Sequence, residues 1–325
     1  MINIRKLTIT SLFTLSFLAM NVGAQSYPDK PIKLVVPFTA GGSTDVLARI
    51  LAKPLGEALK TSVVIDNKPG AGTVLGAEYV AKSSPDGYTL LISSVTTYVV
   101  NQVLMKKLPY NPQTSFDPIG MVGSTGLILL ANSSLVKANT MKELAVEAKA
   151  NPNLAIYGSF GAGTTSHFAG EMISAATGLK MMHVPYKGSA PAMSDLIGGQ
   201  IPLSVDTVVA AIPQLKSGKV KAIMVTSDKR ASLLPNVPTA AESGFPSVHL
   251  STWFAIVGPQ GLPSNVHQKL ENAVANIMAE KSTKEAMIAN GFDPEYGSPA
   301  QYRARVFRDT EALQKVATQA KIASE

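Results

Sequence analysis

Short β-branched runs alternate with stretches of helical period from residue 32 to residue 257, and this alternation restricts the chain to a layered α/β fold. Ile32–Val36 reads as a buried strand stopped by Pro37. Ser43–Leu59 follows, with apolar residues at 46, 47, 50, 51, 55 and 58, a helical spacing. A strand at 62–66, a break at 69–72, a helix at 73–83 and a strand at 88–93 continue the pattern. It resumes with strands expected at 127–131, 155–157, 181–184, 201–205 and 220–226. Helices at 141–150, 167–177, 190–198 and 208–217 separate them. A late strand is expected at 253–257, then amphipathic helices at 265–289 and 299–322. Such crossovers build mostly parallel sheets with helices on their faces.

The N-terminus carries a separate signal. Arg5 and Lys6 precede an apolar run over residues 7–20, and Val22-Gly23-Ala24 supplies small residues before Gln25. This is the layout of a secretory signal peptide over residues 1–24, with cleavage near Ala24/Gln25 and a periplasmic destination. The run is too short for a bilayer span, which needs ~20 apolar residues. The remainder exceeds one ordinary domain, so two lobes are expected. The middle block can form a sheet by itself, which places lobe 2 at 125–228 and a discontinuous lobe 1 at 25–124 and 229–325. Two crossings near 123–126 and beyond Ser227 would form a hinged cleft.

Composition removes several function classes. The chain has no cysteine, which excludes disulfides, iron–sulfur clusters, thiol nucleophiles and cysteine-ligated zinc. Beyond residue 24, 27 basic residues face 22 acidic ones, scattered and without interleaved aromatics. Nucleic acid is a poor partner for that pattern, whereas a mild positive field suits small anions. His167, His183, His249 and His267 show no metal-ligand spacing, and no cofactor is expected. Residues 70–76 imitate a dinucleotide loop but set the last glycine one place too far, and 161–164 lacks the lysine of a phosphate-binding loop.

Two segments remain as candidate chemistry. Residues 37–45 (PFTAGGSTD) and 158–167 (GSFGAGTTSH) each end a strand and open a helix, one per expected lobe. Glycines admit a ligand to the backbone, hydroxyls donate, and each helix start offers free N–H groups and a positive dipole end. Neither segment contains arginine, so an anion would rest on N–H groups, hydroxyls and water. Lys187 is the nearest candidate cation, or a solvated loop lysine. Asp45 can complement the helix dipole and Asp206 can cap the helix at 208. An exported serine hydrolase built on Ser159, His167 and Asp206 is the enzymatic rival; it lacks the glycine two places before the serine.

Several stretches together resemble the receptors of the tripartite tricarboxylate transporters, the Bug family. They are 27–32 (YPDKPI), 37–45, 64–72 (VIDNKPGAG), 83–90 (SSPDGYTL), 157–167, 183–191 (HVPYKGSAP), 218–222 (GKVKA) and 233–239 (LLPNVPT). The resemblance implies a two-lobed, type II "Venus flytrap" that binds a small carboxylate between facing loops, partly through waters. It implies a monomer that serves membrane permease subunits, or alternatively a sensor protein, and no enzyme activity. It implicates Phe38, Gly41, Gly42, Thr44 and Asp45 from one loop, and Ser159, Gly163, Thr164, Thr165 and His167 from the other, with Asp206 as a wall residue. Two departures, Val205-Asp206-Thr207 and the loop 93–98 that contains Ser94, fall where the ligand's side chain would lie.

Overall fold

The computed structural model describes residues 27–322, so the signal-peptide expectation lies outside the described residues. Ten strands order the described residues: β1 (Ile32–Val36), β2 (Val63–Asn67), β3 (Thr89–Ser94), β4 (Phe116–Asn132), β5 (Ile156–Ser159), β6 (Met182–Pro185), β7 (Leu203–Thr207), β8 (Val220–Val225), β9 (Ser251–Pro259) and β10 (Asp293–Gly297). They run β2-β1-β3-β9-β4-β7-β5-β6, with β8 and β10 also paired to β4. Helices cover both faces, forming two sheet-and-helix lobes.

The expected βαβ crossovers are present: β1 is parallel to β2 and β3, and β5 is parallel to β6 and β7. The helix Ser43–Leu59 buries Leu47, Leu51, Leu55 and Leu59, one residue per turn. Antiparallel pairs complete the sheets, and all of them involve β4 or β9. Sequence reasoning found only the second half of β4, residues 127–131. The first half carries Pro118, Gly120, Gly123 and Gly126, which break a β-branched pattern. Its register against β9 shifts at Pro118/Gly120 and at Met121/Gly123. Gly123, at φ +120°, lies so close to β10 that a Cβ would come within 2.8 Å of the Asp293 carbonyl.

Up to Gly126, β4 pairs with β9; from Leu127 onward it pairs with β7 and β8. The chain returns beside it, where Thr226 donates its N–H to the Leu127 carbonyl and Leu250 donates to the Thr226 carbonyl. The segment between β8 and β9, where lobe 1 is expected to resume at 229, bonds to β8 through Val225 N–H to Pro238 O and Ala240 N–H to Val225 O.

The helix expected at 265–289 is two helices, Ser264–Ala279 and Lys281–Ala289. Glu280 between them is extended, with ψ 134°. The bend brings Met287, fully buried, beneath Gly123. The last helix, Pro299–Gln319, starts with a Ser298/Gln301 capping box. It docks through Tyr302, which meets Tyr98 and Trp253 edge-on, while Trp253 Nε1 donates to Asp309 at 2.9 Å.

In the second lobe, Gly170 lies against the buried Tyr157 ring; a Cβ there would sit 2.1 Å from it. Alanine gains ~1 kcal/mol of helix propensity over glycine, but overpacking costs ~1–3 kcal/mol. Gly170→Ala should therefore lower stability in urea unfolding; a variant more stable than wild type would show that Tyr157 yields freely.

Candidate functional site

The 37–45 loop is held from behind by one carboxylate. Asp45 Oδ2 accepts from Gly41 N–H and Arg49 Nε, both at 2.9 Å, and Oδ1 accepts from Arg49 Nη2 and Asn67 Nδ2, both at 3.0 Å. Burial works against this charge, but the Arg49, Gly41 and Asn67 donors hold the carboxyl below its ordinary range. Asp45 thus organises the loop and does not reach toward the cleft, and the Gly41 N–H is committed to it. The helix that follows begins at Ser43 with Gly42 in the cap position and no side-chain cap. Its first intrahelical donor is Val46, bonded to the Gly42 carbonyl. The N–H groups of Ser43 and Thr44 therefore have no capping side chain, and both residues line the cavity described below.

The 158–167 loop is arranged in the opposite way. Gly161 N–H donates to Ser159 Oγ, Gly163 N–H to His167 Nδ1, Thr165 N–H to Thr96 Oγ1, and His167 N–H to Thr164 Oγ1. These donors serve the loop and the contact between lobes. His167 stacks on His183 with ring centroids 4.0 Å apart. His183 Nε2 lies 2.6 Å from Ser159 Oγ, and burial, with His167 beside it, pushes its pKa down to about 3. The pair is a strut with His167 buried and His183 half-buried.

Between the loops lies a small cavity lined by Phe38, Gly42, Ser43, Thr44, Ser94, Phe160, Ser189, Asp206, Thr207 and Thr252. Its free volume is about 10 Å³, room for about one water. Phe38 and Phe160 meet edge-on, with centroids 5.8 Å apart. Both also border an outer cleft of about 500 Å³, whose rim includes Lys107 and Lys187. The lobes touch at several further points: Thr96 Oγ1 lies 3.1 Å from Thr165 Oγ1, and a Cβ on Gly72 would fall 2.3 Å from the Ala162 carbonyl.

Asp206 is not the helix cap. Thr207 takes that role, its hydroxyl accepting from Ala210 N–H. Asp206 Oδ2 instead accepts from Ser189 Oγ at 2.6 Å and Oδ1 from Thr207 N–H at 2.7 Å. Burial raises its pKa to about 6, against the pull of the Ser189 and Thr207 donors.

Of the residues expected at the site, Phe38, Gly42, Thr44, Ser94 and Asp206 line the inner cavity. Lys187 is at the outer rim, and Gly41, Asp45, Ser159, Gly163, Thr164, Thr165 and His167 make the framework contacts described above. The hydrolase constellation is not assembled: the histidine at Ser159 is His183, and Asp206 bonds to Ser189 and Thr207. Sequence reasoning missed Ser43, Phe160, Ser189, Thr207 and Thr252. The first four lay inside quoted stretches, whereas Thr252, at the start of β9, gave no local signal. Its buried hydroxyl has no hydrogen-bond partner among the described residues.

Residues 47–321 match the family described as the tripartite tricarboxylate transporter family receptor. The chain is 37% identical over 287 residues to Protein BugT of Bordetella pertussis, covering 88% of each chain. The structure of R. palustris Rpa4515 with adipate superposes with a TM-score of 0.88 at 34% identity, covering 91% of this chain and 99% of that one. MatC of Rhodopseudomonas palustris with bound malate gives a TM-score of 0.84 at 27% identity, covering 89% and 99%.

The raised pKa of Asp206 has a consequence for stability. Its folded value of about 6 exceeds the ordinary 3.8, so the folded state holds the proton more tightly. The associated stability is fully present below about pH 4 and is lost as pH rises through about 6. Asp206→Asn removes this dependence. The stability difference, variant minus wild type, should grow between pH 4 and 7 by on the order of 2 kcal/mol. A difference constant with pH, in paired denaturant titrations, would place Asp206 in a solvated setting.

Proposed function

The chain belongs to the tripartite tricarboxylate transporter receptor family, a family of receptors and not of enzymes, and from that premise we propose that it is a periplasmic solute receptor for a small carboxylate, which it delivers to permease subunits in the membrane. The observation that carries the ligand class is the uncapped N-terminus of Ser43–Leu59 opening into the polar cavity between the lobes. Two related receptors are seen with adipate and with malate, both carboxylates. An exposed helix terminus contributes only ~0.3–1 kcal/mol to anion binding, up to ~2 kcal/mol when partly buried. Hydrogen bonds to a charged group add ~1.5–3 kcal/mol each, so the Ser43 and Thr44 N–H groups and hydroxyls supply most of the affinity.

On this reading the two loops have different tasks. The 37–45 loop captures the carboxylate, while the 158–167 loop forms the opposing wall. A cavity of about 10 Å³ is too small for an organic acid, so the lobes part to admit one and re-form around it. The moving units are proposed as 27–126 with 251–322 against 127–250, because β4 changes partners at Gly126/Leu127 and the chain returns at Leu250/Ser251. The leader is proposed to be cleaved near Ala24/Gln25.

Gly42→Val is the sharp test of the capture site. Gly42 has φ −76°, and its Cβ would meet only ordinary contacts, 3.6 Å from Thr39 O and 3.7 Å from Ser189 Cβ. Valine fits the backbone and fills the place where the carboxylate sits. A bound acid at ~100 times its Kd should stabilise wild type by ~2.7 kcal/mol, and its neutral amide should not. Gly42→Val should fold normally and lose the acid's shift. Equal shifts from acid and amide, or full binding by the variant, would move the anion site elsewhere. Gly163→Val is not comparable, because Gly163 has φ +68° and a Cβ would lie 2.5 Å from Met105.

A further inference from the structure

The cavity wall beside the capture site has a chemistry that holding a carboxylate leaves unused. Asp206 is fully buried, and no cation pairs with it among the described residues. An ionised carboxylate offers about four acceptor positions. Ser189 and the Thr207 N–H take two, and the Thr207 hydroxyl, at 3.4 Å, is a weak third. Thr252 comes from a different sheet strand to line the same cavity, and its buried hydroxyl has no partner. A surplus acceptor and an unpaired hydroxyl therefore border one small polar space. A carboxylate brings only acceptors and negative charge to that space, and Asp206 opposes it. A ligand group with a hydrogen to donate satisfies Asp206, and a hydroxyl or amine can also engage Thr252.

The separation between the two functions is short. A Cβ on Gly42, at the capture site, would be 3.7 Å from the Cβ of Ser189, whose hydroxyl is 2.6 Å from Asp206 Oδ2. Once the lobes re-form around a ligand, that spacing puts the first carbon or two after its carboxylate beside Asp206.

We propose that Asp206, seconded by Thr252, is a specificity-determining residue that demands a hydrogen-bond donor on the carbon next to the captured carboxylate, so that the ligand is a 2-hydroxy or 2-amino acid. This rests on the carboxylate-receptor reading and narrows it. A buried acid that must meet a donor rejects the unsubstituted parent acid, in which Asp206 is left facing a methylene.

Calorimetry on matched sets tests this: succinate, malate and aspartate; glutarate, 2-hydroxyglutarate and glutamate; phenylacetate, mandelate and phenylglycine; propionate, lactate and alanine. In the set that binds, the hydroxy or amino member should be at least about tenfold tighter than its parent. Asp206→Ala should shrink that preference to within about threefold. Asp206→Asn, which keeps the shape, should remove the preference for an ammonium in particular, and its retained binding of the parent acid shows that the cavity is intact. Thr252→Val should weaken the substituted acids more than the parent. A parent acid that binds as tightly as its substituted partner in wild type overturns the inference and leaves the receptor reading standing. So does an Asp206→Ala variant that loses every ligand equally. Failure of every acid at millimolar concentration removes the receptor reading, and the inference falls with it.

Discussion

Strand β4 is hydrogen-bonded into both sheets, and the cleft exists because of that shared strand. Its first half takes β9 and β10 as partners and its second half takes β7 and β8. A sheet that changes partners along one strand must twist there, which turns two sheets toward each other with their strand ends across a gap. The glycines and the proline of the first half, unfavourable for a strand, admit the register shifts and the close approach of β10. The returning chain, bonded through Thr226, makes the second tie.

The loops facing across this gap have similar sequences but use their polar groups differently. Asp45 draws the Gly41 N–H, Arg49 and Asn67 to the back of the first loop, leaving the helix start unencumbered. The second loop turns its donors inward, onto Ser159, Thr164, His167 and Thr96. Buried polar groups must be paired, so a loop packed against a histidine stack spends its N–H groups on its own framework. A loop whose acid is already saturated can present the next helix turn to an anion.

Phe38 and Phe160, one from each loop, partition the cleft. Their edge-on contact separates a polar inner cavity from a wider outer cleft bordered by Lys107 and Lys187. The exposed lysines at the rim suit attraction of an anion from solution more than its final grip. The inner cavity is where few, buried and directional groups decide between ligands.

Much of this was legible in the sequence, because the signals are local. Helical spacing in Ser43–Leu59, β-branched runs in β1 and the glycine turns that follow them depend on neighbours within a few residues, and such patterns set the α/β class and the place of both loops. The candidate site was legible to the extent that Phe38, Gly42, Thr44, Ser94 and Asp206 do line the inner cavity. Tertiary structure alone decided the rest. The first half of β4 and β10 form strands because they find partners far along the chain, against their own propensity. Ser159 meets His183 and not the nearer His167, because β5 and β6 lie side by side in register and bring Tyr157 opposite His183. Asp206 reaches Ser189 across the head of a helix, and Thr252 enters the cavity from a strand more than forty residues further along the chain. Pairings of this kind carry no periodicity, because the energy that selects them comes from burying polar groups together once the sheets have assembled.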